Sequence, residues 1–360
     1  MLYKAILFVV AKSALAHRSH DNPKIELSGS DPKFLFSMTS NKKWQVAIIG
    51  LGMMGRRMAS SMAAHHGFNI YAGWDQNPAA RAQARAEHPE IWIGETAQDI
   101  INDSQTDLVY IACPPLWHEP HAMAAIEAGK AIFCEKPLGI DVALSRALVE
   151  MTEERGLANA INFPFAACPA VSFIKEQLDA EAAGKIIGAD VQLHFSQWPR
   201  PWQMGAALWL AKRPQGGFVR EVMSHFAFLT ERLLGPASLE STVVHYPDGD
   251  GSEVRMVAVM DCRGIPVSIT GSVGGVGPDR VEFTLWGSDR SYMLHDWYWV
   301  KSSTGENWNQ EIADVADPRQ ATYFGSLDNL HALLQGKPNT TATFREAFSV
   351  QVLIEAILAA

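Results

Sequence analysis

The sequence predicts an α/β protein in two parts: a doubly wound parallel sheet, followed by an α+β domain with a large, mostly antiparallel open sheet. Short apolar runs alternate with helix-forming segments between residues 44 and 163, which is typical of a parallel sheet covered by helices. A glycine-rich turn at 50–55 joins the first apolar run to the first helical segment. Alternating or β-branched runs separated by turns then occupy 239–299, the last of them over 291–299, and predict about five or six largely antiparallel strands. The glycine-rich residues 271–277 are predicted to form a hairpin or a bulged turn, and residues 328–334 are predicted to form a helix.

Length and composition indicate a globular protein of two domains. The 360 residues are 48% hydrophobic and 19% charged, and the formal net charge is −9. No basic surface for nucleic acid is therefore predicted. The four cysteines fit neither the spacing of a zinc site nor that of a disulfide framework, and no other metal-ligand cluster is found. Two of them lie in apparent core strands, which predicts reduced, buried thiols and a cytoplasmic location. The four cysteines are Cys113, Cys134, Cys168 and Cys262.

The first 43 residues differ from this pattern and are predicted to form a flexible leader. Residues 1–16 loosely resemble a signal peptide, but Lys12 interrupts the apolar region. Residues 17–43 are polar and contain proline and glycine. An export signal, a leader and an over-extended reading frame that truly begins at Met38 are the alternatives. The apolar run is too short to span a bilayer, and no membrane segment is predicted elsewhere.

The glycine turn has the spacing G-x-G-x-x-G between a strand at 44–49 and helix-forming residues from Arg56. The first glycine makes the tight turn, the second lets the backbone approach a pyrophosphate, and the third lets helix and strand pack closely. The helix N-terminus supplies free amides and the positive end of the helix dipole. The turn therefore predicts a dinucleotide site. Its residues are Gly50, Gly52, Met53, Met54 and Gly55.

The second predicted strand, 68–74, ends at Asp75, which follows Gly55 by 20 residues. Dinucleotide-binding folds place at this distance the carboxylate that binds the ribose hydroxyls of the adenosine. A carboxylate there repels a 2′-phosphate, so NAD is expected in preference to NADP. The alternative is an ordinary turn aspartate before Asn77-Pro78.

Two further apolar runs end at polar motifs. The strand at 107–113 ends in Cys113-Pro114-Pro115, and the strand at 131–134 ends in Glu135-Lys136-Pro137. Pro137 lacks an amide hydrogen, so the strand ladder must end there. The carboxyl ends of strands in an open α/β sheet face the ligand crevice. Lys136 can act there as a point charge or carry the proton itself, and a surface ion pair with Glu135 is the alternative.

These motifs, in this order, resemble the Gfo/Idh/MocA oxidoreductases, the relatives of glucose-fructose oxidoreductase and inositol dehydrogenase. The resemblance covers residues 44 to about 145. It implies an N-terminal Rossmann domain in which the Glu-Lys-Pro step closes the nicotinamide side of the pocket and Lys136 contacts substrate. The cofactor-binding residues that it adds to the glycine turn and Asp75 are Cys113, Pro114, His118, Glu135 and Lys136.

The second domain supplies an acid and an imidazole. Gly216-Gly217 leads into a predicted helix with Glu221 and His225 four residues apart, so both should lie on one helix face. The family has a similar helix carrying Asp and His. We expect His225 to carry the proton, Lys136 to orient the substrate oxygen, and Glu221 to orient the imidazole or bind a substrate hydroxyl. A structural histidine is the alternative.

The chain departs from the family in three places. The arginine usual near 162–169 is absent, and Met223 and Phe228 stand where the family has glycine and aspartate. These changes predict a substrate less hydrophilic than a free sugar. Three tryptophans in 198–209 form either core or an apolar wall for a ring-shaped substrate.

The function predicted is that of an NAD(P)-dependent oxidoreductase acting on CH–OH groups. It would interconvert a secondary alcohol and a ketone on a sugar-, cyclitol- or diol-like small molecule by hydride transfer. A non-catalytic dinucleotide-binding sensor on the same fold is the alternative. The predicted domains are 44–165 for the dinucleotide and 166–345 for substrate and oligomerisation, with 346–360 as a helix packing back toward the first domain. A homodimer or homotetramer is expected by analogy only.

Overall fold

The computed structural model describes residues 43–312 and 314–359. The predictions for 1–42, including the signal-like segment and a start at Met38, lie outside the described residues. Within the described part, no helix is both long enough and apolar enough to cross a membrane.

The first sheet has six strands in the order β3-β2-β1-β4-β5-β6, and all its pairs are parallel. The chain order reverses between β1 and β4, so the carboxyl ends of these strands flank a crevice where ligands bind in such sheets. The strands are β1 (Trp44–Ile49), β2 (Phe68–Trp74), β3 (Trp92–Ile93), β4 (Leu108–Ile111), β5 (Ala131–Glu135) and β6 (Asn159–Asn162). The predicted doubly wound sheet is confirmed.

Helices connect these strands and begin at recognisable caps. Thr96 and Asp99 form a capping box, and the Asp141 side chain accepts hydrogen bonds from the amides of Ala143 and Leu144. Such side chains satisfy amides that a helix N-terminus leaves without partners. The helices are α1 (Met53–Ala64), α2 (Pro78–Glu87), α3 (Ala97–Asn102), α4 (His118–Glu127) and α5 (Val142–Glu154).

The second sheet has eight strands in the order β14-β13-β12-β11-β7-β10-β9-β8. Only the β7–β10 pair is parallel, so the prediction of a mostly antiparallel sheet is confirmed, although five or six strands were expected. The strands are β7 (Ile186–Phe195), β8 (Ala237–His245), β9 (Arg255–Cys262), β10 (Ile265–Val273), β11 (Arg280–Gly287), β12 (Ser291–His295), β13 (Trp299–Ser303) and β14 (Asn309–Gln310).

Two details of this sheet differ from the sequence-based expectation. The glycine-rich segment after β10 does not form a hairpin, because β10 and β11 lie on opposite sides of β7. The single strand expected over 291–299 is two strands. Asp296 and Trp297 break it with φ angles of 47° and 71°, a left-handed conformation that cannot continue a strand.

The remaining helices are α6 (Pro169–Asp179), α7 (Ala207–Leu210), α8 (Ser224–Leu234), α9 (Pro318–Leu334) and α10 (Phe344–Leu358). Helix α9 begins ten residues before the predicted start at Asp328. Asp317 caps it by accepting a hydrogen bond from the Gln320 amide, and Pro318 occupies the first turn, where a missing amide hydrogen has no cost.

Helix α10 contacts both halves of the chain. Ala342, just before the helix, pairs with Ile161 of β6, and the Phe344 amide donates to Asn159 Oδ1 at 2.9 Å. The same helix contacts α8 and β8 of the second half. One buried hydrophobic cluster therefore runs from the first sheet through α8 to the second sheet, and it supports the site between them.

Candidate active site

The glycine turn has the shape that close approach by a ligand requires. A Cβ on Gly55 would lie 1.9 Å from Gly50 O, and one on Gly50, whose φ is 99°, would lie 2.6 Å from the backbone of Ala112. A Cβ on Gly52 would meet nothing within 4 Å. Gly50 and Gly55 thus permit tight packing, whereas Gly52 faces open space. No side chain caps α1, so the first amides of that helix, at Met53 and Met54, are free to bind an anion.

Asp75 lies against this turn. Its Oδ2 accepts a hydrogen bond from the Leu51 amide at 2.8 Å, and its Oδ1 accepts one from the Asn77 amide at 2.8 Å. The carboxylate is therefore fixed at the carboxyl end of β2, beside the open face at Gly52. Asp75 also begins the turn before α2. It can therefore be both the ribose-binding carboxylate and the turn aspartate that the sequence offered as alternatives. The geometry fits an adenosine ribose next to a pyrophosphate.

His118 joins the ends of two neighbouring strands. Its Nδ1 is 2.7 Å from Pro137 O and its Nε2 is 2.8 Å from Cys113 O. The ring is fully buried, and burial lowers the pKa of His118. A neutral imidazole has one N–H, so it donates to only one of these carbonyls. Because both nitrogens face backbone, His118 positions the strand-end segments and presents no free nitrogen to a ligand.

The Cys113 thiol is not poised as a nucleophile. Burial raises the pKa of Cys113 to about 12, and the thiolate is the reactive form. Cys113 and Pro114 lie just after β4, next to the glycine turn, so any contact with a cofactor would be through packing or backbone.

Glu135 is a buried structural carboxyl and does not pair with Lys136. Tyr110 Oη donates to its Oε1 at 2.5 Å, and Asn162 Nδ2 donates to the same oxygen at 2.7 Å. Burial raises the pKa of Glu135, although both hydrogen bonds oppose this shift. The alternative of a surface ion pair between Glu135 and Lys136 is therefore wrong, because each side chain finds its partner in another element.

Lys136 joins the first sheet to the second half of the chain. Its Nζ donates to Glu221 O at 2.9 Å and also pairs with Glu221 Oε2. The two side chains are only 8% and 20% exposed, and Gln203 Nε2 donates to Glu221 Oε1 at 3.3 Å. The Lys136–Pro137 peptide bond is cis. The lysine is thus held at the carboxyl end of β5, at the crevice.

His225 lies in an aromatic environment. The centroids of Phe163, Phe165 and Trp297 are 5.6, 6.0 and 5.6 Å from the centroid of its ring. The residue is 8% exposed. Burial, and then the charges of Lys136 and Arg200, hold the pKa of His225 well below its usual range. The imidazole is therefore neutral at neutral pH and able to accept a proton.

Glu221 does not orient His225, contrary to one of the expected roles. Within the described residues, Glu221 bonds to Lys136 and Gln203 and makes no hydrogen bond to His225. The reason is local: residues Val219–Met223 form a π-helical turn, and only Ser224 begins an α-helix. Such turns change the side-chain period and are frequent at functional sites. The catalytic assignment of Glu221 and His225 stays a prediction.

Met223 and Phe228 are fully buried, and Phe228 stacks on Phe163 with centroids 4.6 Å apart. They shape the site from behind and do not line it. The polarity of the open pocket therefore depends on other side chains, and the expectation of a less hydrophilic substrate has no support from these two positions.

Several residues of the site were missed from the sequence. The Arg200 guanidinium lies near the rings of Trp198, Trp202 and Trp297, with 4.8 Å to Trp202 as the shortest of these distances. The tryptophan-rich run at 198–209 was the available indication, but it predicted only core packing or an apolar wall, and no role was assigned to Arg200. Phe163, Phe165 and Trp297 gave no indication of a shared role, because they meet only in the folded chain.

The comparisons with known proteins agree with this geometry. Residues 44–163 match the Gfo/Idh/MocA model, described as an oxidoreductase family with an NAD-binding Rossmann fold. Levoglucosan dehydrogenase of Pseudarthrobacter phenanthrenivorans is 30% identical over 215 residues, which are 55% of this chain and 53% of that protein. Inositol 2-dehydrogenase of Paracoccus denitrificans is 32% identical over 117 residues, 31% of this chain and 34% of the relative. The chain thus spans about half of the first relative's length, and less of the second's.

Solved structures show the same fold along most of the chain. Levoglucosan dehydrogenase in complex with NADH and levoglucosan superposes with a TM-score of 0.77 at 18% identity, covering 88% of this chain and 97% of the other. UDP-N-acetylglucosamine 3-dehydrogenase of Acidithiobacillus ferrooxidans gives a TM-score of 0.73 at 20% identity, covering 89% and 98%. Residues 44–163 therefore match the NAD-binding Rossmann domain of the Gfo/Idh/MocA oxidoreductases, and the solved structures show that the likeness in fold continues along most of the chain.

Proposed function

We propose that the chain is an NAD-dependent dehydrogenase that interconverts a secondary alcohol and a ketone on a sugar- or cyclitol-like molecule. The observation that carries this proposal is that a cation, Lys136, and a neutral base, His225, lie near each other at the crevice. Lys136 is fixed there by Glu221, and the nearby His225 is kept unprotonated by burial and by two cations. The named relatives, levoglucosan and inositol dehydrogenases, support the same class of reaction.

The residues around the glycine turn fit a bound dinucleotide. The free amides of α1 would hold the pyrophosphate above Gly52, and Asp75 would bind the adenosine ribose and repel a 2′-phosphate. When bound, NAD⁺ supplies the acceptor for the hydride that leaves the substrate carbon. An Asp75→Ser variant is expected to bind NADP⁺ more tightly relative to NAD⁺, as measured by competition for NADH fluorescence.

The proton of the substrate hydroxyl must leave as the hydride does. His225 is the proposed acceptor, since a neutral imidazole accepts a proton without a prior ionisation step. Its low pKa also means that it releases the proton readily after turnover. Lys136 has three N–H donors and Glu221 engages two of them, so one remains for the substrate oxygen. A fixed cation there stabilises the negative charge that develops on this oxygen.

The aromatic side chains around His225 limit the access of water. Phe163, Phe165 and Trp297 surround the imidazole, and a site with little water strengthens the interaction of Lys136 with developing charge. Trp297 is partly exposed, so its ring also offers a flat apolar surface for the C–H face of a sugar ring. The pocket thus combines one polar reacting end with an apolar wall.

The test is a screen of anhydrosugars, inositols, hexoses and dihydrodiols for NADH production by the full chain. Turnover with at least one class, reduced in His225→Asn and in Lys136→Met, is the expected result. The alternative function, a non-catalytic sensor, predicts tight NAD binding with no turnover in any class. Failure to bind NAD or NADH would refute both functions.

We also propose that the protein is a cytoplasmic homo-oligomer with the domain limits given above. The four cysteines are free, and three of them are buried, which suits a reducing compartment. Strands of the second sheet expose Ile187, Val243, Val257 and Trp286 at 41–57%, an apolar surface that a second copy could cover. Sedimentation of the purified chain tests this: a monomer at all concentrations would refute it.

A further inference from the structure

Arg200 is fixed in place by the same network that holds Lys136. Its Nε and its backbone amide both donate to Gln203 Oε1, each at 3.1 Å. Gln203 is 2% exposed, and its Nε2 donates onward to Glu221 Oε1. Glu221 in turn pairs with Lys136. The guanidinium therefore has a defined position relative to the reacting end of the pocket.

Among residues 43–312 and 314–359, the outer edge of this guanidinium has no hydrogen-bonding or ion-pairing partner. Within the described residues, neither terminal nitrogen of Arg200 forms a hydrogen bond or an ion pair, and neither is among the buried unpaired atoms. Solvent, and hence a ligand, can reach them. An arginine presents its terminal N–H groups as a planar fork that matches the two oxygens of a carboxylate.

Aromatic rings fix the plane of this fork. The guanidinium carbon is 5.2 Å from the ring centroid of Phe195, 5.9 Å from that of Trp198, 4.8 Å from that of Trp202 and 5.7 Å from that of Trp297. Trp297 also contacts His225. Trp297 thus contacts both the guanidinium and the imidazole that is proposed to accept the proton. This separation suits a single sugar ring that meets the imidazole on one side and the guanidinium on the other.

Two cations and two carboxylates meet at this end of the pocket, where His225 is neutral. Lys136 pairs directly with Glu221, whereas Arg200 makes no ion pair with a carboxylate among the described residues. Asp279 also interacts with Arg200, but it already accepts hydrogen bonds from the Ser196 amide and hydroxyl. Burial lowers the pKa of Arg200. Burying an unpaired cation is unfavourable unless an anion completes the site.

We infer that the substrate is a sugar acid, and that Arg200 binds its carboxylate through both terminal nitrogens while the tryptophans contact the ring. The inference rests on the proposed function, because it names the substrate class of the same pocket. It also differs from what the relatives' names would suggest, since levoglucosan and inositol carry no charge.

The test compares matched neutral and acidic sugars: D-glucose with D-glucuronate, and D-galactose with D-galacturonate. Turnover is measured as kcat/KM with NAD⁺, and binding is measured as quenching of tryptophan fluorescence in the NADH-loaded protein. The wild-type chain is expected to prefer the acid of at least one pair by tenfold or more. In Arg200→Gln this preference should be lost, because kcat/KM for the acid should fall by about 100-fold with the loss of a charge-assisted bidentate contact, whereas kcat/KM for the neutral sugar should change little.

Two further variants separate recognition from structure. Arg200→Lys keeps the charge without the fork, so an intermediate preference is expected. Arg146→Gln is the matched control, because Arg146 is exposed and its guanidinium carbon lies 5.0 Å from the ring centroid of Phe348. The preference of this variant for acids should equal that of the wild type. The inference is overturned if the wild type shows no preference for acids in turnover or binding. It is also overturned if Arg200→Gln weakens acid and neutral sugars equally.

Failure of this inference differs from failure of the proposed function. A dehydrogenase that turns over neutral sugars without an acid preference would retain the function and refute the role of Arg200. A chain that binds NADH and galacturonate or glucuronate through Arg200, without turnover, would retain the binding site and refute the dehydrogenase.

Discussion

Replacing Lys136 by methionine removes the buried cation at the centre of the site. The ammonium makes two contacts to Glu221, and the carboxylate is only 20% exposed. Methionine keeps a long apolar stem, so the loss is mainly that of the charge. We expect two separable effects: a lower rate, because the substrate oxygen loses its stabilising donor, and a less stable fold, because Glu221 loses its partner.

The magnitudes follow from these contacts. Loss of one preorganised donor to a developing oxyanion lowers kcat by about 10²–10³-fold. Breaking a buried ion pair by removing one partner costs about 3–5 kcal/mol. Here the lower end, about 3 kcal/mol, is expected, since Glu221 keeps some solvent and its hydrogen bond from Gln203. Adding Glu221→Gln to Lys136→Met should recover most of the stability and none of the rate.

The assays are steady-state turnover of the best substrate from the screen, NADH binding by fluorescence, and urea unfolding. Lys130→Met is the matched control: its Nζ donates to Asp103 O at 2.7 Å and Thr106 O at 2.8 Å, away from the crevice. This control should lose stability but keep kcat. If Lys136→Met retained the wild-type kcat, the role of the lysine at the substrate oxygen would be refuted.

Two pH effects can be predicted. Burial and the nearby cations lower the pKa of His225, so kcat/KM for alcohol oxidation should stay level as pH falls through 6.5 and drop only below it; a drop centred at or above pH 6.5 would contradict this. Burial raises the pKa of Glu119 to about 7 from 4.5, so the folded state binds an extra proton between these pH values and loses stability as pH rises. Glu119→Gln keeps the oxygen that accepts from Ile140 and Asp141, and should exceed the wild type by about 2 kcal/mol in urea at pH 8. Equal pH slopes in the two proteins would refute the second prediction.

Features that depend on local chemistry could be predicted from the sequence. Gly50 and Gly55 could be assigned to the turn because a Cβ at either position would meet backbone atoms, and Gly52 could be assigned by the spacing of the motif. Pro137 marked the end of a strand because it has no amide hydrogen. The alternation of apolar runs and helices predicted the parallel sheet, since each pattern reflects which faces of an element must be buried.

The tertiary structure alone decided the partners. Lys136 and Glu221 are 85 residues apart in the chain, and Arg345 and Glu153 are 192 residues apart. No local pattern encodes such pairs. Adjacency in sequence suggested Glu135 as the partner of Lys136, but the strand geometry sends successive side chains to opposite faces, and Glu135 instead meets Tyr110 and Asn162.

The same reasoning applies to the substrate end of the site. The sequence supplied His225 and the tryptophan-rich run, but not the arginine among the rings, because the loop after β7 is brought to Trp297 only by the second sheet. The residues of the cofactor half of the pocket could therefore be predicted from the sequence, because they come from one continuous stretch of chain. The substrate half was not, because its side chains come from distant loops that only the packing of the two sheets brings together.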